Sequence, residues 1–486
     1  VRSLKLSFFF QLFTSFFYAV TPLITFPYVS RVLGPEKIGT VNFIDYTAQI
    51  FILFASFGIP LYGVREVAKS YADKEKLQKV VAELFSIHIL STVFSLVIFF
   101  ITVLSFEEFN DNKELILLTA FSVVLNAFSF DWFVQGVENF KFLSLRTLIV
   151  RFISVVAVFL LIREASDFVY YYSILVGGSL MIMIADIFLL KKHRVSLNFT
   201  FSFQKHIRPL LLFFLTTASV SVYTFLDTFL LGVISGSLAV GFYTTSLKIV
   251  KLSQNLINDL GGVILPRVSF LIESKNNAEV EKIIFKSLYY VFTVSVPLCF
   301  FFFLMAPEII NILAGSQFLP SILTLRLLSL LPLIIGLSNV FGIQILIPYK
   351  REKEMLLSVL AGSIFSVLLC ILLCPVFEQN GAAIACLTSE IAVTILTGYY
   401  ARQLLHLSFP LKKLLTIITS TLLFIPIIFI SRNLFVSDIV ILVTCLALCS
   451  LIYISLQYYL FTNTIVRESV SFVFGALRKP LGNTPI

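Results

Sequence analysis

The sequence predicts an all-α polytopic membrane protein. Three observations carry that expectation. Of 486 residues, 58% are hydrophobic and only 13% charged, with a mean hydropathy of +0.98, a balance foreign to water-soluble domains. The apolar residues fall into about fourteen runs, each near the length a helix needs to cross a hydrocarbon core. The basic residues lie between those runs rather than in one patch, so the net charge of +9 does not point to a nucleic acid partner.

In chain order the expected spans are 8–30, 40–62, 82–104, 115–133, 146–162, 169–190, 210–231, 240–265, 284–305, 322–347, 355–376, 382–401, 414–431 and 438–460. The first run, Phe8 to Tyr28, is too long for a signal-peptide core and reads as a retained span. Connections on the outer side are short, the longest from about Pro307 to Ser321. About 28 of the 36 Lys and Arg, Arg146 and Arg151 among them, fall on the side of the two termini, and only Arg31, Lys37, Lys113, Arg163 and Arg432 on the other. That bias sets both termini in the cytoplasm, and an even span count agrees with it. The six cysteines sit in or beside apolar runs, Cys370/Cys374 and Cys445/Cys449 at i,i+4, which are packing positions more often than disulfides or metal ligands.

An internal repeat divides the chain. SRVLGPEKIGTVNF leads to GIPLYGVREVAKSYADKEKLQKVVAELFSI, and DTFLLGVISGSLAVGFYTTS leads to VILPRVSFLIESKNNAEVEKIIFKSLYYV. Gly34, Gly39, Pro60 and Lys79 thereby match Gly232, Gly241, Pro266 and Lys282, at an offset near 200. Two six-span lobes of the same orientation follow, residues 1–208 and 209–403, around a central cavity. Residues 404–486 add spans 13 and 14 and a cytoplasmic tail.

Polar stripes on four repeat-related spans mark the faces expected to line that cavity. In the eighth span Lys248, Lys251, Asn255 and Asp259 step by three or four and share one helix face. A charged stripe at membrane depth is costly unless it meets water or partners. Span 1 offers Gln11, Thr14, Tyr18, Thr21 and Thr25; span 2 offers Asn42, Asp45, Gln49 and Ser56; span 7 offers Thr216, Ser219, Tyr223 and Asp227. Asp227 and Lys248 stand ten and eleven residues either side of Ser237, where spans 7 and 8 are expected to turn, so they are expected at similar depth and able to pair. His88 lies inside span 3, whereas His193, His206 and His406 sit in basic loops and read as solvated. Asp186 and Glu390 read as lone structural acids. Neither GxxxxGK[ST], HExxH nor CxxC occurs, so no catalytic residue, metal ligand or cofactor is expected, and the chain does not read as an enzyme.

Several segments resemble, in order, those of the Wzx-type flippases of lipid-linked oligosaccharides, within the multidrug/oligosaccharidyl-lipid/polysaccharide (MOP) exporter superfamily. They are TPLITFPYVSRVLGPEKIGTVNF, FGIPLYGVREVAKS, FDWFVQGVENFKFLSLRTLIVR, FGIQILIPYKREKEM and NGAAIACLTSEI. Where that family often has Asn in the eleventh span, this chain reads GSIFSVLL with Ser366, and no site is placed there. The resemblance implies two six-helix lobes in a V. It implies export of an undecaprenyl-diphosphate-linked oligosaccharide repeat unit across the bacterial inner membrane by alternating access, coupled to an ion gradient. Lys248, Lys251, Arg31 and Arg65 would serve the diphosphate, and Gln11, Tyr18, Asn42, Gln49, Tyr223 and Asn255 the sugar. Asp45, Asp227, Asp259 and His88 are the ion-coupling candidates. A polysaccharide polymerase and a chain-length regulator are the implied partners, besides membrane lipid. The rival readings are a drug/cation antiporter of the same superfamily, a membrane polymerase or ligase, and a flippase of lipid II.

Overall fold

The computed structural model describes residues 4–106, 109, 112–195, 197–200, 204–406, 411–468, 470 and 471. Within them, side chains are described except at 4–16, 18, 19, 216, 219–224, 255–263 and 411. Helix accounts for nearly all of it. In order these are α1 (Leu4–Ser56), α2 (Ile59–Ser70), α3 (Lys74–Ser105), α4 (Lys113–Ala127), α5 (Asp131–Gly136), α6 (Phe140–Leu161), α7 (Phe168–Lys192) and α8 (Gln204–Glu273). They continue with α9 (Asn277–Leu304), α10 (Ala306–Leu313), α11 (Ser321–Leu328), α12 (Leu331–Asn339), α13 (Glu352–Arg402), α14 (Leu411–Leu422), α15 (Phe424–Leu434) and α16 (Asp438–Ser455).

Among the described residues, eleven helical segments are long and apolar enough to cross a membrane. Three of these contain a residue outside helical φ/ψ: Gly34 in α1, Gly236 in α8 and Glu378 in α13. The 70 residues of α8 would run about 105 Å if straight, against a hydrocarbon core of about 30 Å. A long apolar helix of that kind must reverse at its break. Counting each broken segment as two passes reconciles the eleven with the fourteen spans expected, and the protein is a multi-pass membrane protein. Its outward faces are apolar: Leu104 is 86% exposed, Phe152 71% and Phe188 68%, a pattern that only lipid stabilises.

The repeat is visible in the backbone. Gly34 has φ 74°, ψ 173° and Gly236 has φ 79°, ψ 175°, a conformation that glycine adopts without a Cβ penalty. The equivalent of Gly34 is therefore Gly236, not Gly232, and the offset is 202 residues. Contacts at that offset are reciprocal. A Cβ on Gly39 would lie 1.7 Å from the carbonyl oxygen of Ser237, and one on Gly241 would lie 2.0 Å from that of Pro35. Asn42 and Thr244, also 202 apart, face each other: Asn42 Nδ2 donates to Thr244 Oγ1 at 2.8 Å. Such mutual pairing is what a local two-fold requires. Gly232 is instead a packing position, where a Cβ would meet the Phe43 ring at 2.1 Å.

The chain forms two compact units. The first comprises residues 1–245, 313–318 and 363–385. Within it α1 packs along α3, α4 and α6, and α7 closes on α4 and α6. A hydrophobic core cluster in it includes Ile59, Tyr62, Leu84, Trp132, Phe133 and Leu210. The second unit comprises residues 246–312, 319–362 and 386–486. There α9 packs on α12 and α14, and α15 on α16. Its cluster of Val268, Val280, Ile284, Leu288, Phe341 and Ala401 draws on the repeat-equivalent stretches of the second half.

Candidate functional site

In the first unit, the polar face of α1 meets polar positions of α4, α6 and α7 to form a bay. The stripe residues Asp45 and Gln49 line a cavity of about 160 Å³ together with Ser122, Asn126, Asp131 and Tyr172. Thr21 and Thr25, from the earlier part of the same helix, line a neighbouring cavity of about 220 Å³ with Thr147, Arg151, Ser154 and Tyr171. Both cavities share Leu175, Ser179 and Ile182. The three- and four-residue spacing in α1 thus does what a one-sided polar stripe predicts: it turns hydroxyls, an amide and a carboxylate away from lipid.

Behind the wall, Asn126 Oδ1 accepts from Ser56 Oγ at 2.9 Å and faces His88 Nε2 at 3.2 Å. His88 is buried and therefore reaches the bay only through Asn126. Asp186 is not a lone acid. Arg146 Nη1 donates to its Oδ1, Arg146 Nη2 donates to Asp131 Oδ1 at 2.5 Å, and the backbone N–H of Phe130 donates to Asp186 Oδ2 at 2.9 Å. One arginine ties α5, α6 and α7 together, with Asp131 at the cavity wall. The expected solvation of His206 is overturned. It is fully buried, with Nδ1 at 2.8 Å from the Tyr62 hydroxyl and Nε2 at 2.8 Å from Glu83 Oε2. The start of α8 is tucked against α2 and α3, which removes this ring from water although Lys205 and Arg208 flank it in sequence.

Asp227 is buried, its Oδ1 accepting from Ser366 Oγ at 2.6 Å and facing Cys370 Sγ at 3.8 Å. Ser366, given no role from sequence, holds the one acid of the span-7 stripe. Asn42 is buried and spends its amide on Thr244. Arg31 is exposed, its Nη1 donating to the Pro27 carbonyl at 2.7 Å. Arg65 lies over the Tyr62 ring at 5.1 Å and the Phe213 ring at 5.3 Å, with Nε on Glu66 at 3.2 Å.

In the second unit Lys248 and Lys251 are half-buried, while Leu247, Ile249 and Val250 are buried, so the apolar side of this helix packs and the lysine side is the more open one. Asp227 belongs to the first unit and Lys248 to the second. The side chains of Gln11, Tyr18, Tyr223, Asn255 and Asp259 lie outside the described residues. Among the described residues no group of three or more His, Cys, Asp or Glu is arranged to hold a metal ion.

Arg151 is the residue that sequence reasoning misplaced. It is expected among the cytoplasmic basic residues, near the start of a fifth span running 146–162. The helix begins at Phe140 and ends at Leu161, which puts Arg151 in its middle, on a cavity wall.

Residues 7–272 match the family described as "Polysaccharide biosynthesis protein". A curated protein of Escherichia coli K12 named "Putative O-antigen transporter" is 28% identical over 393 residues, 79% of this chain and 92% of its own length. One of the same name from Shigella dysenteriae is 24% identical over 377 residues, 77% and 94%. Among solved structures, the lipid II flippase MurJ in an inward closed conformation matches with TM-score 0.72 and 17% identity, covering 94% of this chain and 100% of that one. An inward-facing multidrug resistance MATE family transporter of the MOP superfamily matches with TM-score 0.64 and 14% identity, over 79% and 94%. These relatives are named transporters and a flippase, not enzymes, in keeping with a sequence that lacks catalytic motifs. Matched over more than half its length by one family and built on the helical fold of MOP transporters, the chain belongs to the polysaccharide biosynthesis protein family.

Proposed function

We propose that the protein is a flippase. It moves undecaprenyl-diphosphate-linked oligosaccharide repeat units from the cytoplasmic to the outer leaflet of the bacterial inner membrane, with both termini in the cytoplasm. The observation that carries this reading is the polar bay inside the first unit of a chain otherwise clad in apolar side chains. A buried polar bay is costly in lipid, and a polar, hydrogen-bonding cargo would offset that cost. The sugar portion suits Gln49 and the surrounding hydroxyls. The diphosphate needs cations within an apolar surround, for which Lys248 and Lys251 stand at mid-span, with Arg31 and Arg65 towards the ends. The polyprenyl tail stays in lipid between lobes 1–208 and 209–403, which exchange access to the two faces.

Coupling to an ion gradient would fall to Asp45 in the bay and to Asp227, whose grip by Ser366 can open when a proton or cation replaces the hydroxyl's hydrogen bond. A polysaccharide polymerase and a chain-length regulator would receive the product. Asp45 and Asp131 also give the bay an acidic side, which favours a drug/cation antiporter as the second reading.

The test is translocation of a labelled lipid-diphosphate oligosaccharide in proteoliposomes, with Lys248→Ala and Lys251→Ala beside the wild type. Each variant is expected to lose at least tenfold in rate while staying folded, the loss of one charge-assisted contact. Full transport by both would remove the lysines as cargo ligands. Uptake of an organic cation, with no movement of the lipid, would replace this reading by the antiporter.

A further inference from the structure

Outside the bay, α7 ends on a residue type that the local backbone disfavours. The helix runs to Lys192. Beyond it the N–H of Arg194 donates to the Lys191 carbonyl at 3.0 Å, and that of Val195 to the Leu190 carbonyl at 3.1 Å. This pair of bonds is a Schellman cap, whose left-handed position is usually glycine. Here it is Arg194, at φ 56°, a conformation that costs any residue carrying a Cβ. Leu190 and Val195 belong to the hydrophobic cluster of the first unit, which anchors the turn. The turn borders a slot of about 490 Å³ lined by Ile187, Leu190, Lys191, Arg194, Val195 and Leu197. Of these only Lys191 and Arg194 are exposed, and Lys192 is exposed beside them. Among the described residues no carboxylate or other side-chain partner engages Lys191, Lys192 or Arg194. The helix itself marks their depth. Phe188 is 68% exposed and is the last outward apolar residue of α7. The cations begin three residues on, about 4.5 Å along the helix. The slot therefore sits where hydrocarbon gives way to headgroups.

We propose that this slot holds an anionic phospholipid of the surrounding membrane, with an acyl chain along Ile187, Leu190, Val195 and Leu197 and the phosphate between Lys191 and Arg194. Charge selects the headgroup. Three positive side chains outweigh the partial negative charge of a helix C-terminus, about half an elementary charge. That dipole accounts for Lys191 and Lys192 in the last turn. It does not account for an arginine past the cap, in a conformation that glycine adopts freely. The volume, about 490 Å³, lies within the roughly 300–1,000 Å³ of small-molecule sites. A basic pocket at headgroup level is the arrangement that recognises anionic lipids, and the guanidinium fork matches a phosphate. The chain leaves α7 here for α8, so a lipid held at this point would pin that connection to the membrane surface. None of the residues involved lines the polar bay, and the site does not depend on which cargo the protein moves.

The experiment is native mass spectrometry of the purified full-length protein in a neutral detergent, reading the first lipid bound. The probes are dioleoylphosphatidylglycerol and dioleoylphosphatidylcholine, which share their chains and differ in net charge. The wild type should bind the anionic lipid at least about tenfold tighter. Each cation removed should cost about fivefold, so Lys191→Gln with Arg194→Gln should weaken the anionic lipid about 25-fold and the neutral one by less than about twofold. Arg194→Gly should lose about fivefold in that binding while raising the unfolding temperature, because glycine relieves the left-handed turn. Lys74→Gln with Lys76→Gln removes the same charge from exposed positions of α3 and should leave binding within about twofold. An equal loss in that control would mean diffuse attraction and overturn the site, as would a double variant at 191 and 194 that binds like the wild type. Glycerophosphoglycerol, the headgroup without chains, should not compete; competition equal to the lipid's would reduce the slot to a free-phosphate contact and overturn the proposal. Binding of an oligoglutamate peptide with no preference between the lipids would put an acidic protein segment in its place.

Discussion

Arg146 shows how much one side chain can be asked to hold. Its two terminal nitrogens reach Asp186 and Asp131, and Asp186 is also bonded by the Phe130 N–H. The Asp186 side chain is wholly buried and that of Arg146 nearly so. Removing the arginine leaves an uncompensated buried carboxylate, a loss of about 3–5 kcal/mol. Arg146→Ala should therefore lower the thermal unfolding temperature in detergent markedly. The double variant Arg146→Met with Asp186→Asn should recover most of the loss, because the amide oxygen still accepts from Phe130 and no charge is stranded. A double variant no more stable than the single one would mean that the triad does not act by charge pairing. The same residue scale separates what the sequence discloses from what it hides. Asp45, Gln49, Thr21 and Thr25 were legible as cavity residues because helical spacing alone puts them on one face. Arg146 and Asp186 sit 40 positions apart, and nothing in spacing joins them. His206 lies between Lys205 and Arg208, and only the tuck of α8 against Tyr62 and Glu83 buries it. Ser366 matters through Asp227, 139 residues away in sequence.

At the scale of elements, the decisive features are the glycines where the two repeat-related segments cross. Gly39 and Gly241 each face a backbone carbonyl of the other segment, and backbone cannot swing aside as a side chain can. Gly39→Ala and Gly241→Ala should each destabilise by at least about 1–3 kcal/mol, the usual range for overpacking. Because the contacts are mates under one local two-fold, the two losses should be similar. Guanidinium- or heat-driven unfolding of the two purified variants measures this, and a large loss in one with none in the other would break the symmetry argument. Apolar run length disclosed the spans well, since lipid imposes a fixed length on every crossing. Helix ends were less legible. The α6 segment from Phe140 to Arg146 is amphipathic rather than uniformly apolar, so the span was expected to start six residues late, and Arg151 looked terminal when it is central. The turn expected at Ser237 is one residue from the break at Gly236, because there the glycine itself marks the place.

At the scale of the whole molecule, the direction of transport depends on which way the chain is threaded. Lys and Arg on the side expected to hold the termini outnumber those expected on the other several-fold, whether or not Arg151 is counted among them. In the proposed threading each basic residue on the cytoplasmic face would add to the same bias, so no single one of them would decide it. Glu164 follows α6 at the end expected outside, and Lys353 lies in the first turn of α13 at the end expected inside; both are exposed. The six native cysteines form no disulfide and are buried, so a single introduced cysteine dominates labelling by a membrane-impermeant maleimide. In intact spheroplasts Glu164→Cys should label within minutes, and Lys353→Cys only after the membrane is opened. The reverse pattern would invert the cytoplasmic assignment of both termini, and with it the leaflet from which cargo is taken. Equal labelling of both sites in intact spheroplasts would mean that 164 and 353 share a face, which an even number of crossings between them would require and the fourteen-span threading, with five, forbids.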